Sequence, residues 1–301
     1  MLGPVITLGQ TDAMILDQAM SQVSRHEQRT QLLQDRMGRG CDLRDMNFAG
    51  ENLTGADFVG ADLEGANLEG AKLTGADLMG ANLTGANLKG AQLFNANLTG
   101  ATLHRADIMD ADLTGAVLRR SQLEGADLAG ANLAGANCRR ADFTRVELVA
   151  AKLTGANFKR ADLTGANLEG AKLTGADLTG ANLTGADLTK ADLYLANFTG
   201  ADLKRAQLVQ AYIRDANFYL ANLYLANLEG ANLSGANFKD ANLTEANLTG
   251  ANLKETNLHG AELFTAYLRG ALLMGADLTN ADLTTIHYDK TTAWPENFKL
   301  P

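Results

Sequence analysis

The sequence predicts an all-β solenoid, a coil of chain that turns a corner every five residues. Three observations point to it. From Cys41 to Thr285 the chain runs as 49 consecutive pentapeptides with no insertion or deletion. The third residue of the unit, its centre, is bulky and apolar in 48 of the 49, the exception being Cys138, and the first residue is Ala in 43. No proline occurs in residues 41–285, as stacked backbone hydrogen bonding demands. A period of five fits neither the 3.6 of a helix nor the 2 of a strand. It fits a coil in which the centre and the small first residue point inward and the other three point out.

The remaining positions support the same coil. The second residue is Asp or Asn in 36 of 49 units, and the fifth is Gly in 27. Glycine there supplies the positive φ that a type II turn requires at its third residue. Where the fifth residue is not Gly, a turn of another type is expected. Nine successive units from Asn217 to Asn257 carry Asn in second place, which predicts an uncharged hydrogen-bonded ladder.

Each end departs from the repeat. Residues 1–40 are an N-terminal segment in which 11–37 read as a helix. Thr11 or Asp12 would cap it, Ile15, Leu16, Ala19, Met20 and Val23 form its apolar face, and Gly38 ends it. Residues 286–301 leave the pattern, and Trp294, Pro295 and Phe298 read as a tail plugging the last coil. Open coils need such caps, because they expose unpaired edges and apolar core.

Composition narrows the function. The 301 residues carry a net charge of −9, which argues against a general nucleic-acid binder. No apolar stretch is long enough for a transmembrane helix, and the N-terminus lacks the regions of a signal peptide. Cys41 and Cys138 have no metal-ligand spacing and suggest a reducing, cytoplasmic compartment. The four histidines (26, 104, 259 and 287) and four serines (21, 24, 121 and 234) form no catalytic pairing, and no phosphate-binding loop or cofactor motif occurs. The expectation is a protein that is not an enzyme and has no cofactor.

The repeated A(D/N)LxG resembles the pentapeptide-repeat family over about four-fifths of the chain. The resemblance implies a right-handed, four-sided parallel β-helix with four units, or 20 residues, per coil. That gives about 12 coils and, at roughly 4.8 Å per coil, a rod about 60 Å long. Residues 20 apart then stack. Five centres, Phe58, Phe158, Phe198, Phe218 and Phe238, share one column with Cys138. The family implies either a monomer or a dimer through the C-terminus, where Phe264, Tyr267, Leu272 and Met274 point outward. The Trp-Pro-Glu tail and the uninterrupted repeat resemble regulatory cyanobacterial members.

Departures from the turn pattern mark candidate binding residues. Arg119-Arg120, Arg139-Arg140 and Lys159-Arg160 recur at intervals of 20 and stack at one corner, with Arg105 and Arg145 at the next. Two readings stand: a solvated surface partly offset by Asp142 and Asp162, or a docking patch for an acidic partner or phosphate-bearing ligand. Tyr194/Leu195, Tyr219/Leu220 and Tyr224/Leu225 are placed at outward corners, with Val209 and Tyr212 in the coil between. Tyrosine and leucine together mark interfaces, self-packing of the corners being the alternative. An acidic column, Asp107, Asp127 and Glu147, matters because some family members mimic DNA and bind gyrase; here Arg105 and Arg145 partly neutralise it, and the long loops of similar resistance members are missing. The leading expectation is a non-catalytic, regulatory rod that docks a protein partner, and the alternative is a DNA-mimicking binder of gyrase or topoisomerase.

Overall fold

A computed structural model describes residue 27 and residues 29–299. Its backbone is a ladder of parallel bridges in which residue n pairs with residue n+20, from Met37↔Asp57 to Tyr267↔His287. Each unit makes the same bonds. Leu63 N–H donates to Asn82 O in the next coil (2.7 Å), Gly65 N–H to Thr84 O (2.9 Å), and Asp62 N–H to Cys41 O in the previous coil (2.9 Å). A fourth bond closes the turn, Ala66 N–H to Leu63 O at 3.0 Å. Every coil therefore has four equivalent turns. The first corner holds residues 44–45, 64–65 and every 20 on; the second holds 49–50, the third 54–55 and the fourth 59–60, each repeating likewise.

The interior is the column of centres and alanines. Nearly all are buried, and Phe198, Phe218 and Phe238 stack at 4.6 Å with almost parallel rings. Phe158 instead meets Phe143 edge-on at 5.2 Å, above the buried Cys138. Units that replace Ala satisfy the added polar atom: Ser121 Oγ donates to Leu118 O (2.7 Å) and Thr256 Oγ1 to Leu233 O (3.0 Å).

The turns correct one expectation. Fifth residues other than Gly keep the same left-handed conformation, with φ of 54° at Arg105, 56° at Arg120 and 57° at Leu195. The reason is the ladder. Arg120 N–H donates to Arg139 O and Arg140 N–H to Lys159 O, both at 3.1 Å, so each turn must copy its neighbours. The Asp or Asn in second place reinforces the turn, for its side-chain oxygen accepts the fourth residue's N–H, as in Glu69 N–H to Asn67 Oδ1 at 3.2 Å. The predicted asparagine ladder is present too, with Asn237 Nδ2 donating to Asn217 Oδ1 at 3.0 Å.

Both ends enter the ladder further than the repeat pattern indicates. Helix α1 covers 29–35; residues 11–26 of the expected helix, with Thr11, Asp12 and its apolar face, lie outside the described residues. Arg36, at φ 56° and bonded to Leu32 O, ends α1, and Gly38 is instead the centre of a first unit, 36–40. Leu32 is buried in the core, while Arg29 bonds Asn47 O at 2.7 Å and pairs with Glu51. At the other end Leu272 bridges Ala293, 21 residues on, because the unit Ile286–Thr291 holds six residues. Trp294 stacks on Phe298 (5.4 Å), and both pack against the core.

Candidate functional site

With the register known, each outward residue has an address. The pairs Arg119-Arg120, Arg139-Arg140 and Lys159-Arg160 occupy the fourth corner in three successive coils, and all but the half-buried Lys159 are exposed. Stacking at roughly 4.8 Å sets like charges against one another. Lys159 reaches across to Asp177 at 2.8 Å. Among the described residues the five arginines of this corner have no carboxylate partner within ion-pair distance. Asp142 and Asp162 make no ion pair with them; each accepts from its own turn, at Thr144 N–H (2.9 Å) and Thr164 N–H (3.0 Å). Burial raises the Asp177 carboxyl, but the hydrogen bonds from Lys159 and Thr179 outweigh that and leave it below the usual carboxylate range.

The three tyrosine–leucine pairs do not form one patch. Tyr194/Leu195 lie on the third corner, Tyr219/Leu220 on the fourth and Tyr224/Leu225 on the first. Tyr194 packs against Tyr212 at 6.2 Å, and Tyr224 Oη donates to Glu245 Oε1 at 3.2 Å. That hydrogen bond holds the Tyr224 phenol above its ordinary pKa. Leu195 and Leu220 remain more than half exposed. The pair Tyr219/Leu220 shares the fourth corner with the arginine stack, three coils beyond Arg160. Neither stretch reveals that without the 20-residue register, because the two are separated by ordinary Thr-Gly turns.

The first corner has a shallow cavity of about 440 Å³ lined by Thr84, His104, Arg105, Glu124, Gly125 and Arg145. Arg145 Nη1 lies 3.4 Å from Glu124 Oε1, and His104 Nε2 lies 3.1 Å from Gln122 Oε1. Among the described residues no group of three or more His, Cys, Asp or Glu is placed to hold a metal ion. No helix among them is long and apolar enough to cross a membrane.

Charge is sorted by side. Between residues 101 and 165 the fourth and first corners, with the side joining them, carry eight cations and three carboxylates. The rest of the same coils carries Asp107, Asp110, Asp112, Asp127 and Glu147 against one cation, Lys152. Asp107 and Asp127 accept turn amides (Met109 N–H, 3.1 Å; Ala129 N–H, 2.9 Å) and Glu147 accepts Asn167 Nδ2 (2.8 Å), and among the described residues the column makes no ion pair with a cation.

Comparison with known proteins places this geometry. A family model described as pentapeptide repeats matches in eight copies, over residues 39–75, 76–115, 121–160, 161–200, 191–230 and 221–260. No curated protein matches the sequence. Among solved structures the chain is similar to HetL, a pentapeptide repeat protein involved in heterocyst differentiation regulation from the cyanobacterium Nostoc sp. strain PCC 7120. The identity is 33%, covering 81% of this chain and 87% of that one, with a TM-score of 0.45. It is also similar to Rfr23 from the cyanobacterium Cyanothece 51142, at 29% identity over 44% of this chain and 90% of that one, TM-score 0.32. QnrB1, a plasmid-mediated fluoroquinolone resistance protein, shares 18% identity over 73% and 90%, TM-score 0.29. The uninterrupted unit, the n+20 ladder and the family match lead to one conclusion: the chain belongs to the pentapeptide-repeat family, whose members form right-handed quadrilateral β-helices.

Proposed function

We propose that this protein is a non-catalytic, regulatory protein-binding rod of about 12 coils, capped by its N-terminal helix and its C-terminal tail and working in a cyanobacterial cytoplasm. The family generally consists of structural and binding proteins, and the matches indicate no catalytic family. The 33% identity to HetL, a protein involved in differentiation regulation, supports the regulatory reading.

The observation that carries the proposal is the fourth corner. Arg119, Arg120, Arg139, Arg140, Lys159 and Arg160 stack there over three coils, and Tyr219 and Leu220 follow on the same edge. Cations steer an acidic partner and fix its orientation, while the exposed Leu220 beside the half-buried Tyr219 supplies the apolar anchor. The rod is rigid before binding, so docking costs little conformational entropy. Tyr224 and Leu225, on the adjacent corner, extend the surface sideways, and Tyr194 and Leu195 belong to a separate edge.

The test is affinity capture from a lysate of the source cells with three baits: the native rod, Arg120/Arg140/Arg160→Glu, and Tyr219/Tyr224→Ala. A partner held by the native rod and lost by a variant supports the proposal. Equal capture by all three overturns it.

A further inference from the structure

The segregated charges occupy the same coils on opposite sides of the rod. A coil is 20 residues, so residues ten apart lie across it, and the second corner is diagonal to the fourth. The cations of the fourth corner stand at 119–120, 139–140 and 159–160. The carboxylates of Asp107, Asp110, Asp127 and Glu147 stand on or beside the second corner, within about one coil of the same height.

We propose that a second copy of this chain docks side by side with the first, its second corner against the first copy's fourth corner. A sideways shift along that diagonal, with no rotation, makes the contact. It sets Arg120 and Arg140 against Asp110 and Asp127 of the neighbouring copy, and Arg160 against Glu147 and Glu169 of that copy. Further along, Tyr219 and Leu220 meet Val209, and Lys239 meets Glu229. Where the second corner carries Lys190, the fourth corner offers only Thr179-Gly180 and Thr199-Gly200. From Arg119 to Leu220 the corner residues themselves bring no like charges together, while Lys152 and Lys172, flanking the second corner on its other side, offset part of the attraction.

Spacing favours this occupant. Asp107, Asp127 and Glu147 are bridged to one another in the ladder and so repeat at the coil spacing, in step with Arg120, Arg140 and Arg160. Same-side residues of an extended peptide lie about 6.7 Å apart, and phosphates of a DNA strand about 3.4 Å apart along the axis, so both fall out of step with rows roughly 4.8 Å apart. The net charge of −9 further disfavours nucleic acid. The contact is long and narrow, far below the roughly 800 Å² per partner of a standard stable interface, so each step is weak. It is also heterologous: every copy keeps a free fourth corner or second corner, and association continues into open arrays of parallel rods.

Two charge reversals test it. Arg120/Arg140/Arg160→Glu keeps a fold-compatible residue, because Glu245 and Glu255 already hold φ of 58° and 57° at that place in the unit. Asp107/Asp127/Glu147→Lys is equally compatible, because Lys72, Lys152 and Lys172 occupy that rung. Sedimentation velocity and small-angle scattering of the full chain are read against protein concentration at about 50 mM and about 500 mM NaCl, the latter shrinking the screening length to a few ångström. The native rod associates at low salt and dissociates at high salt. With each exposed ion pair contributing roughly two- to fivefold, either variant alone associates at least tenfold more weakly. An equimolar mixture of the two recovers association, because each variant's reversed edge meets the other's. Circular dichroism and melting temperature confirm that both variants are folded. A native rod that stays monomeric at low salt, a variant that associates as well as native, or a mixture that stays apart each overturns the inference. It rests on the cationic corner of the proposed docking function but fails separately: a monomeric rod can still lose a captured partner through Arg120/Arg140/Arg160→Glu.

Discussion

Gly38 lies against Phe58 so closely that a Cβ on Gly38 would sit 2.7 Å from Phe58 Cδ1 and 2.9 Å from Leu32 Cδ1. Gly38 occupies a centre, the place where other units put leucine or phenylalanine. Here α1 delivers Leu32 into that space instead. Restoring the repeat with Gly38→Leu therefore expels Leu32 and undocks α1. The expected cost is about 1–3 kcal/mol, the range for overpacking a filled core. Hydrogen exchange over 29–35 reads it: protection of Arg36 N–H falls in Gly38→Leu while the coils beyond Phe58 stay protected. Unchanged protection would show that α1 does not depend on this cavity.

The same contact shows what the sequence could and could not disclose. Unit length, inward centres and the alanine row depend on local pattern, and they were legible. The first unit, 36–40, was not, because its centre is filled by a side chain from α1 and the residues at 36–37 break the pattern. The tail's entry into the ladder was hidden by the six-residue unit 286–291. At non-glycine positions local preference favours other turns, and the ladder overrides it, as the bond from Arg120 N–H to Arg139 O does. The arginine stack was visible from its spacing, yet its sharing an edge with Leu220 emerges only when all coils are held in one register.

Arg140 should stabilise the rod when replaced by glycine. Its φ is 56°, in a region that costs a non-glycine side chain roughly 1–2 kcal/mol. Removing the side chain also relieves repulsion from Arg120 and Arg160. Arg140→Gly is expected to gain about 1 kcal/mol in denaturant unfolding while weakening partner capture. A loss of stability would mean that the arginine stem makes contacts worth more than the strain it imposes.

The two cysteines should differ in reactivity. Cys41 is exposed, whereas Cys138 is fully buried and burial pushes its thiol well above the ordinary range. Only the thiolate reacts appreciably. Iodoacetamide at pH 8 is therefore expected to label Cys41 alone in the native rod and both residues in guanidinium, as read by peptide mass spectrometry. Native labelling of Cys138 would place an opening in the core between Leu118 and Phe158.

Acid should loosen the rod unevenly. The hydrogen bonds from the Thr279 hydroxyl and amide hold Asp277 below the usual carboxylate range, and those of Thr284 and Thr291 do the same for Asp282 and Asp289. A carboxyl lowered on folding contributes stability that is complete above its unfolded pKa, about 3.9, and disappears as pH falls through the lower folded value. Melting temperature is thus expected to be flat above about pH 5 and to fall below about pH 4. Coils whose rungs are asparagine, 217–257, have no such groups in that position. Hydrogen exchange at pH 3 should show the C-terminal turns at 277–291 opening before the asparagine coils, and the reverse order would contradict this assignment.

A deletion distinguishes register from composition. Removing residues 166–175, two pentapeptides between the arginine stack and Tyr219, shortens the chain by half a coil. Each coil contacts only its neighbours, so the rod should still fold, with one mismatched junction and a modest fall in melting temperature. The deletion rotates everything beyond it by two corners, carrying Tyr219 and Leu220 from the fourth corner to the second and leaving no tyrosine–leucine pair on the fourth. Removing residues 166–185, a whole coil, costs more contacts yet returns Tyr219 and Leu220 to the edge that holds Arg120, Arg140 and Arg160, one coil nearer. If one edge acts as a unit, the ten-residue deletion loses the captured partner and the 20-residue deletion keeps it, despite removing twice as much protein. Equal capture by both would mean that the cations and the Tyr219/Leu220 pair work independently, each sufficient wherever the coil presents it.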